Sequence, residues 1–331
     1  MSRPLVAVVR GGYSGESVIS HQSAVNMAQA IDRTRFEPLF VTITQGAWAC
    51  ADLEESPLPF DRGAFAVDRG QGPERFVAAL IAIHGTPGED GKLQGYLDML
   101  GVPYQTGGVL NMALTFSKSA TTGLLGQRGF PVAPSVLLMN GDAGHAERVA
   151  TLGYPCFVKP DQSGSSLGVS KVKAPGELRA ALDKAFSECA TVLVEAAVHG
   201  RELTCGVMEG PDGPMALPIC EVRTTREFFD YEAKYHAADT EELVPAPIPD
   251  DVADLVQRRS AAIYRALDCR GLVRVDHFWD PAASGDAALV TIELNTVPGF
   301  SEASIFPKML RAADIGVEQA INGLVHRMLT R

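Results

Sequence analysis

Several protein classes leave marks that this chain lacks. Its six cysteines are scattered and form no C-x-x-C pair, so they read as reduced, mostly buried thiols of a cytosolic protein. An excess of basic charge is missing: the net charge is -11 and the pI about 5.1, which argues against a nucleic-acid partner. A small anion held by a few local cations stays compatible with that balance. No apolar run approaches membrane-spanning length, so no membrane partner is expected. The run Leu5–Val9 is also too short for a signal peptide, and Arg10 ends it. Neither a complete G-x-G-x-x-G nor a G-K-[S/T] follows a strand signal, which excludes the usual dinucleotide fold and a Walker loop.

What remains is an ordinary globular composition, 46% hydrophobic and 21% charged over 331 residues, long enough for two or three domains. Strand signals at Leu5–Val9, Phe40–Thr44 and Phe76–Ile83 alternate with helix signals. One helix starts near Ser20, with Ala24, Met27, Ala28 and Ile31 on a stripe; another covers Gly91–Leu100. That alternation predicts a parallel sheet wound with helices, with ligands beyond the carboxyl ends of its strands. The loops Gly11–Glu16 and His84–Gly91 occupy two such ends. The segment between Asp52 and Pro73, rich in Pro, Gly and charge, reads as a surface excursion. Glu16 by itself reads as a solvated loop carboxylate, and His84 as a satisfied strand-end histidine.

A boundary is expected near Gly107-Gly108, followed by a helix over Asn111–Gly126 that contains Lys118. Tyr154–Val172 then reads as a strand ending in Lys159, a Gly/Ser tip at Gly164–Gly168, and a second strand from Val169. Such a tip can present backbone N–H groups and hydroxyls to phosphate oxygens, although Gly/Ser tips are also common in plain hairpins. The same tip spells G-x-S-x-G, which offers Ser166 as the nucleophile of a serine hydrolase. That elbow needs a helix directly after it, and the alternation of Val169–Lys173 is that of a strand. Glu195 and Glu202 flank the loop between the next two strands. Phe228–Tyr235 opens a long irregular, aromatic-rich segment of the kind that forms lids, running through Pro245. A helix over Asp251–Leu267 follows, and two helical stretches after Pro307 close the chain.

The richest chemistry lies in the hairpin between that helix and Pro307. By strand period Arg274 and Asp276 share a face. In Leu289–Asn295 the same rule points Val290, Ile292 and Leu294 one way and Thr291, Glu293 and Asn295 the other. Pairing the strands across the turn at Asp280–Asp286 gathers Arg274, Asp276, Glu293 and Asn295 on one face. Asp, Glu and Asn oxygens suit a hard cation such as Mg²⁺; the plainer alternative is a solvated face with ordinary charge pairing.

Taken in order, Gly11-Gly12 through Glu16, His84–Gly95, Phe157–Val172, Phe229–Tyr235, Arg274–Asp276 and Glu293–Gly299 resemble the D-alanine–D-alanine ligases of the ATP-grasp family, over nearly the whole chain. The resemblance implies a three-domain α/β fold. An N-terminal Rossmann-like parallel-sheet domain (1–109) would bind substrate, and two α+β domains (110–194 and 195–331) would clasp ATP. It implies ATP-dependent joining of two D-alanines through an acyl phosphate, for peptidoglycan precursors, by a cytoplasmic homodimer. Lys118, Lys159, Gly164, Ser165 and Ser166 would meet the phosphates, Glu195 the adenine and Glu202 the ribose, with Phe228 and Lys234 also in the ATP site. Asp276, Glu293 and Asn295 would hold two Mg²⁺ (or Mn²⁺). Glu16 would bind the first ammonium and join Ser165 and Tyr235 in a hydrogen-bonded trio. Arg274 and the Gly299 N–H would stabilise charge on the reacting carbonyl. Ser304 and Ile305 would fix the second carboxylate, and His84 would lie in the substrate pocket. Acceptors other than D-alanine, namely D-lactate or D-serine, fit the same fold, and Tyr235 favours the dipeptide. The chain departs from the family pattern at Ala196, where a Lys is frequent, at Ser163 before Gly164, and at Phe300-Ser301.

Overall fold

A computed structural model describes residues 3–164, 167–224 and 240–330. The first sheet orders seven strands as β4-β3-β2-β1-β7-β6-β5. At its centre β1 (Leu5–Gly11) runs parallel to β2 (Glu37–Ile43) and β7 (Pro73–Ile81). β1 is buried along its whole length, as expected of a parallel strand covered on both faces. α1 (Ser17–Ala30) carries the predicted stripe: Ala24, Met27 and Ala28 are buried, with Ile31 at its end.

The sheet is less purely parallel than expected, and the reason lies in the supposed surface excursion. β3 (Trp48–Ala51) and β4 (Pro57–Leu58) extend one edge in antiparallel fashion, while β5 (Phe60–Asp61) and β6 (Ala66–Asp68) extend the other. Phe65 and Val67 are fully buried in the core under β1 and β7. Strands of two or three residues give no periodic signal, and turn residues between them dominate the composition.

α2 (Lys92–Leu100) follows, and then a helical stretch that is broken rather than continuous. α3 (Val109–Phe116) stops at Ser117, which caps α4 (Lys118–Gln127) by accepting the Ala120 N–H. The second sheet has the order β10-β9-β11-β8. It comprises β8 (Ser135–Met139), β9 (Cys156–Pro160), β10 (Ser170–Val172) and β11 (Thr191–Ala196), backed by α6 (Leu178–Glu188), with the short α5 (His145–Ala150) beside β8. β9 and β10 form the expected antiparallel hairpin.

The third sheet runs β15-β14-β12-β16-β17, with β13 (Gly213–Ala216) on β12. Its strands are β12 (Arg201–Gly210), β14 (Cys220–Thr224), β15 (Thr240–Leu243), β16 (Leu272–Trp279) and β17 (Leu289–Asn295), packed on α7 (Asp250–Ala266). The far end of the presumed irregular lid segment is thus a strand. α8 (Ile305–Ala312) begins before Pro307, which falls in its first turn, where a missing N–H costs little. Together with α9 (Val317–Thr330) it returns to the first sheet: Met309, Ile321, Leu324 and Val325 share one core with Val6, Ala28 and Leu80. The last helices therefore cover a face of the first sheet, with α9 against α1 and β7. Among the described residues no helix is long and apolar enough to cross a membrane.

Candidate active site

A cleft of about 1290 Å³ opens where the three sheets meet, and strand ends and loops from each supply its walls. From the first sheet come the loops after β1 and β7, laced together by Tyr13 N–H to the Thr86 carbonyl (3.0 Å) and Ser14 Oγ to the His84 carbonyl (3.0 Å). Gly12 has φ +97°, and a Cβ there would lie 2.6 Å from Ile83 Cγ2, so only glycine lets the loops close this tightly. They bring Glu16, His84 and Glu89 to the cleft wall.

Neither loop group is the bland residue its sequence context suggests. Burial holds the His84 imidazole below its ordinary value, and its Nε2 has no hydrogen-bond partner among the described residues. Glu89, which no motif singles out, accepts the Gly85 N–H at 2.6 Å; burial, with Glu16 nearby, pushes its carboxyl up to about 8. Glu16 touches the second sheet: a Cβ on Gly164 would lie 2.4 Å from Glu16 Oε2. The Gly/Ser tip thus reaches across the cleft to the N-terminal loop. Ser165 and Ser166, next in that tip, lie outside the described residues, as do Phe228, Lys234 and Tyr235. The tip leads into the strand β10 and not into a helix, so the elbow geometry of a Ser166 hydrolase is not met.

The second sheet and α4 bring two lysines. Lys118 Nζ donates to the Ser163 carbonyl at 2.7 Å, and Lys159 Nζ pairs with Glu195 at 2.5 Å. Burial works against the charge of Lys159, but Glu195, with Glu293 and Glu202 behind it, outweighs burial and holds the ammonium above its ordinary value. Glu195 therefore faces a lysine here instead of standing free. Glu202 lines the same wall from β12.

The third sheet supplies the oxygen-rich face. In the β16–β17 pairing Arg274 lies opposite Asn295 and Asp276 opposite Glu293, which joins the four as expected. Asp276 Oδ1 accepts from Arg274 Nε (2.9 Å) and from the Thr204 hydroxyl; Oδ2 accepts from Arg274 (2.8 Å) and Asn295 Nδ2 (3.0 Å). Burial opposes the charge of Arg274, and Asp276 restores it, leaving the guanidinium above its ordinary value. Thr204 carries no motif of its own, although it shares strand parity with Glu202.

Strict alternation fails just before Glu293. Asp276 pairs with Glu293 but His277 pairs with Thr291, so Ile292 is an extra residue, a bulge. Thr291 turns into the core, where its hydroxyl meets His277 Nδ1 at 3.2 Å, and Ile292 joins Glu293 and Asn295 along the cleft. Ser260 takes the other ring nitrogen of His277 at 2.9 Å, and burial pushes that imidazole down to about 3.

Beyond β17, Gly299 lies beside Ser304, whose hydroxyl accepts the Ser301 N–H at 3.1 Å; Ser304 and Ile305 begin α8. Phe300 is fully buried and anchors this turn to α1, through Ser23 Oγ on its N–H (3.0 Å) and Asn26 Nδ2 on its carbonyl (2.7 Å). The departure at this position thus serves the core.

The donor set fits Mg²⁺. Among the described residues no cluster of three or more His, Cys, Asp or Glu side chains is placed to hold a metal. Two carboxylates and one amide are nevertheless what Mg²⁺ takes when phosphate and water complete its shell. Asp276 already draws a cation and two neutral donors onto its oxygens.

Two family profiles span most of the chain, D-ala D-ala ligase N-terminus over residues 5–107 and D-ala D-ala ligase C-terminus over residues 124–328. The D-alanine–D-alanine ligase of Porphyromonas gingivalis is 39% identical over 323 residues, covering 97% of this chain and 96% of the relative. That of Bacteroides fragilis (strain ATCC 25285) is 38% identical over 321 residues, with 97% and 98% covered. Among solved structures, the VanG D-Ala:D-Ser ligase from Enterococcus faecalis aligns at TM-score 0.87 and 30% identity, over 99% of this chain and 100% of that one. The D-alanine–D-alanine ligase from Bacillus anthracis complexed with ATP aligns at TM-score 0.78 and 26% identity, over 99% and 98%.

Proposed function

Because the chain belongs to the D-alanine–D-alanine ligase family, we propose that its cleft joins two D-alanines with conversion of ATP to ADP and phosphate, supplying a peptidoglycan precursor. The observation that carries the site assignment is the approach of Gly164 to Glu16, which brings a phosphate loop to a substrate-ammonium loop.

A carboxylate is a poor electrophile, so the first D-alanine must be activated by transfer of the γ-phosphoryl group to its carboxyl oxygen. Glu16 holds the ammonium of that D-alanine. Lys118, Lys159 and the tip Gly164-Ser165-Ser166 draw the phosphates in. Glu195 and Glu202 face adenine and ribose, with Phe228 and Lys234 completing the ATP site. Asp276, Glu293 and Asn295 would hold two Mg²⁺ (or Mn²⁺), whose charge offsets the repulsion between phosphate and carboxylate. The second D-alanine, its carboxylate fixed by Ser304 and Ile305, attacks through its neutral amine. The C–N bond forms, the C–O bond to phosphate breaks, and the oxyanion between these events is stabilised by Arg274 and the Gly299 N–H. His84 borders the D-alanine pocket. Ser165 and Tyr235, which lie outside the described residues, are assigned with Glu16 to a trio that would help keep water from the acyl phosphate.

We divide the chain into units 1–109, 110–194 and 195–331, and infer a cytoplasmic homodimer formed through the first unit. Free cysteines support the location, and exposed Met99 and Val109, both in the first unit, support the interface. D-serine as acceptor is the second reading, favoured by the likeness to the D-Ala:D-Ser ligase; D-lactate has only the shared fold behind it. The acyl phosphate is tested with D-alanine labelled by ¹⁸O in its carboxylate. Label must appear in the released phosphate; unlabelled phosphate would exclude the intermediate.

A further inference from the structure

Asp161 follows the last residue of β9, two positions beyond Lys159, and is only 3% exposed. Its carboxylate leaves its own strand to meet the start of α4. One oxygen accepts the Ser117 hydroxyl at 2.7 Å and the other accepts the Ser119 N–H at 2.8 Å. The Asp161 backbone continues the junction: its carbonyl accepts the Lys118 N–H at 3.1 Å, and its N–H donates to the Thr191 carbonyl on β11 at 3.0 Å. Lys118 is thereby held on both sides of its Cα, and its ammonium returns to the same loop at the Ser163 carbonyl, 2.7 Å away.

A helix cap alone does not require this arrangement. Ser117 already accepts the Ala120 N–H from its place at the head of α4 and would cap the helix without help. A buried carboxylate beside a site for phosphates is otherwise unfavourable, through both desolvation and like charge. Here both oxygens are spent on a helix N-terminus, where negative charge is favoured. The two-point attachment does what a single cap cannot: it fixes both the depth and the rotation of α4 relative to β9.

We propose that Asp161 is a positioning residue for the triphosphate, setting Lys118 against Lys159 so that both ammoniums reach the same phosphates. The inference rests on the assignment of those two lysines to phosphate. It acts through Lys118, and that gives it a signature separable from loss of fold.

The test is calorimetric titration, with Mg²⁺ present, of ADP and of adenosine into the full-length protein and its variants Asp161→Ala, Lys118→Ala and the double variant. Asp161→Ala is expected to weaken ADP binding by about tenfold, the scale of one charge-assisted contact, and to change adenosine binding less than about twofold. In the Lys118→Ala background Asp161→Ala adds no further loss, because coupled residues are not additive. Asp161→Asn, which keeps the shape, and the transposed pair Ser117→Asp with Asp161→Ser serve where Asp161→Ala does not fold. The first reproduces the phosphate-selective loss in milder form, and the second returns ADP binding toward that of the parent. Equal losses for ADP and adenosine, or losses that add in the double variant, would overturn the proposal. So would an unchanged ADP affinity in Asp161→Ala while Lys118→Ala is weakened, which leaves the site assignment standing. An unchanged affinity in Lys118→Ala removes the phosphate assignment itself and the proposal with it.

Discussion

Burial works against the charge of Arg274; Asp276, hydrogen-bonded to it through both nitrogens that face it, offsets that cost and holds the guanidinium above its ordinary value. Asp276 thereby fixes the orientation of the guanidinium at the cleft wall, and if that group stabilises the oxyanion as proposed, Arg274→Ala is expected to lower kcat on the order of a hundredfold or more, the usual cost of losing one such donor. Steady-state ADP release measures this, and a change confined to KM would contradict the assignment. Gly164 makes a second prediction at this scale. A Cβ there would lie 2.4 Å from Glu16 Oε2, the far end of a flexible side chain, so Gly164→Ala should displace that carboxylate without unfolding the protein and lower kcat/KM for D-alanine by about tenfold, the scale of one charge-assisted contact. Glu89 makes a third. Below about pH 4.5 its carboxyl is protonated in both folded and unfolded chains; between about 4.5 and 8 only the unfolded chain ionises. The unfolded state then binds fewer protons, so stability falls as pH rises through that window and levels above it. Thermal unfolding of the parent against Glu89→Gln should show the parent losing ground from pH 5 to 8, and a constant offset would refute the burial of that carboxyl.

Strands are the most legible elements wherever alternation holds. Arg274 with Asp276, and Glu293 with Asn295, can be placed on one face because a period of two needs only neighbouring letters. The bulge at Ile292 breaks that rule, and nothing in Val290-Thr291-Ile292 announces it. Its support is long-range: Thr291 is held by His277 from β16 and, through it, by Ser260 from α7. Removing one member strands another, so Thr291→Val is expected to destabilise the fold by about 1–3 kcal/mol. Replacing Ser260, His277 and Thr291 together by apolar residues, which strands none of the three, should cost less than the single change; urea unfolding of the two variants decides this. The break at Ser117 is equally silent, because a serine inside an apolar helical pattern reads as an ordinary interior residue until Asp161 is seen beneath it. Between Asp52 and Pro73 the opposite holds: turn residues are conspicuous, and the minimal strands that bury Phe65 between them are not.

At the scale of the whole molecule the sequence order misleads. Residues of the last two helices share a core with β1, α1 and β7, so the first and last parts of the chain fold as neighbours. Deleting 317–331 should therefore damage the N-terminal sheet, with loss of cooperative unfolding and of D-alanine binding. A truncated protein that unfolds as the parent does would deny the shared core. The convergence of three sheets on one cleft is not readable from local pattern either. It is reachable only through the ordered set of motifs, each of which by itself fits a plain loop or a solvated strand. The cleft brings Glu16, Glu89, Glu195, Glu202, Glu221, Glu242, Asp276 and Glu293 together with Lys118, Lys159, Lys171, Arg201, Arg223 and Arg274, so cations and carboxylates are nearly balanced along its wall.

A substrate screen tests the assigned ligation most directly. Purified protein is given ATP and Mg²⁺ with D-alanine, D-serine, D-lactate or L-alanine, separately and with D-alanine as partner, and ADP and phosphate are followed alongside the product. D-alanine alone should suffice for equimolar ADP, phosphate and D-alanyl-D-alanine, with L-alanine inert. Release of ADP only when D-serine or D-lactate is added, or no D-alanine-dependent release at all, would contradict that assignment.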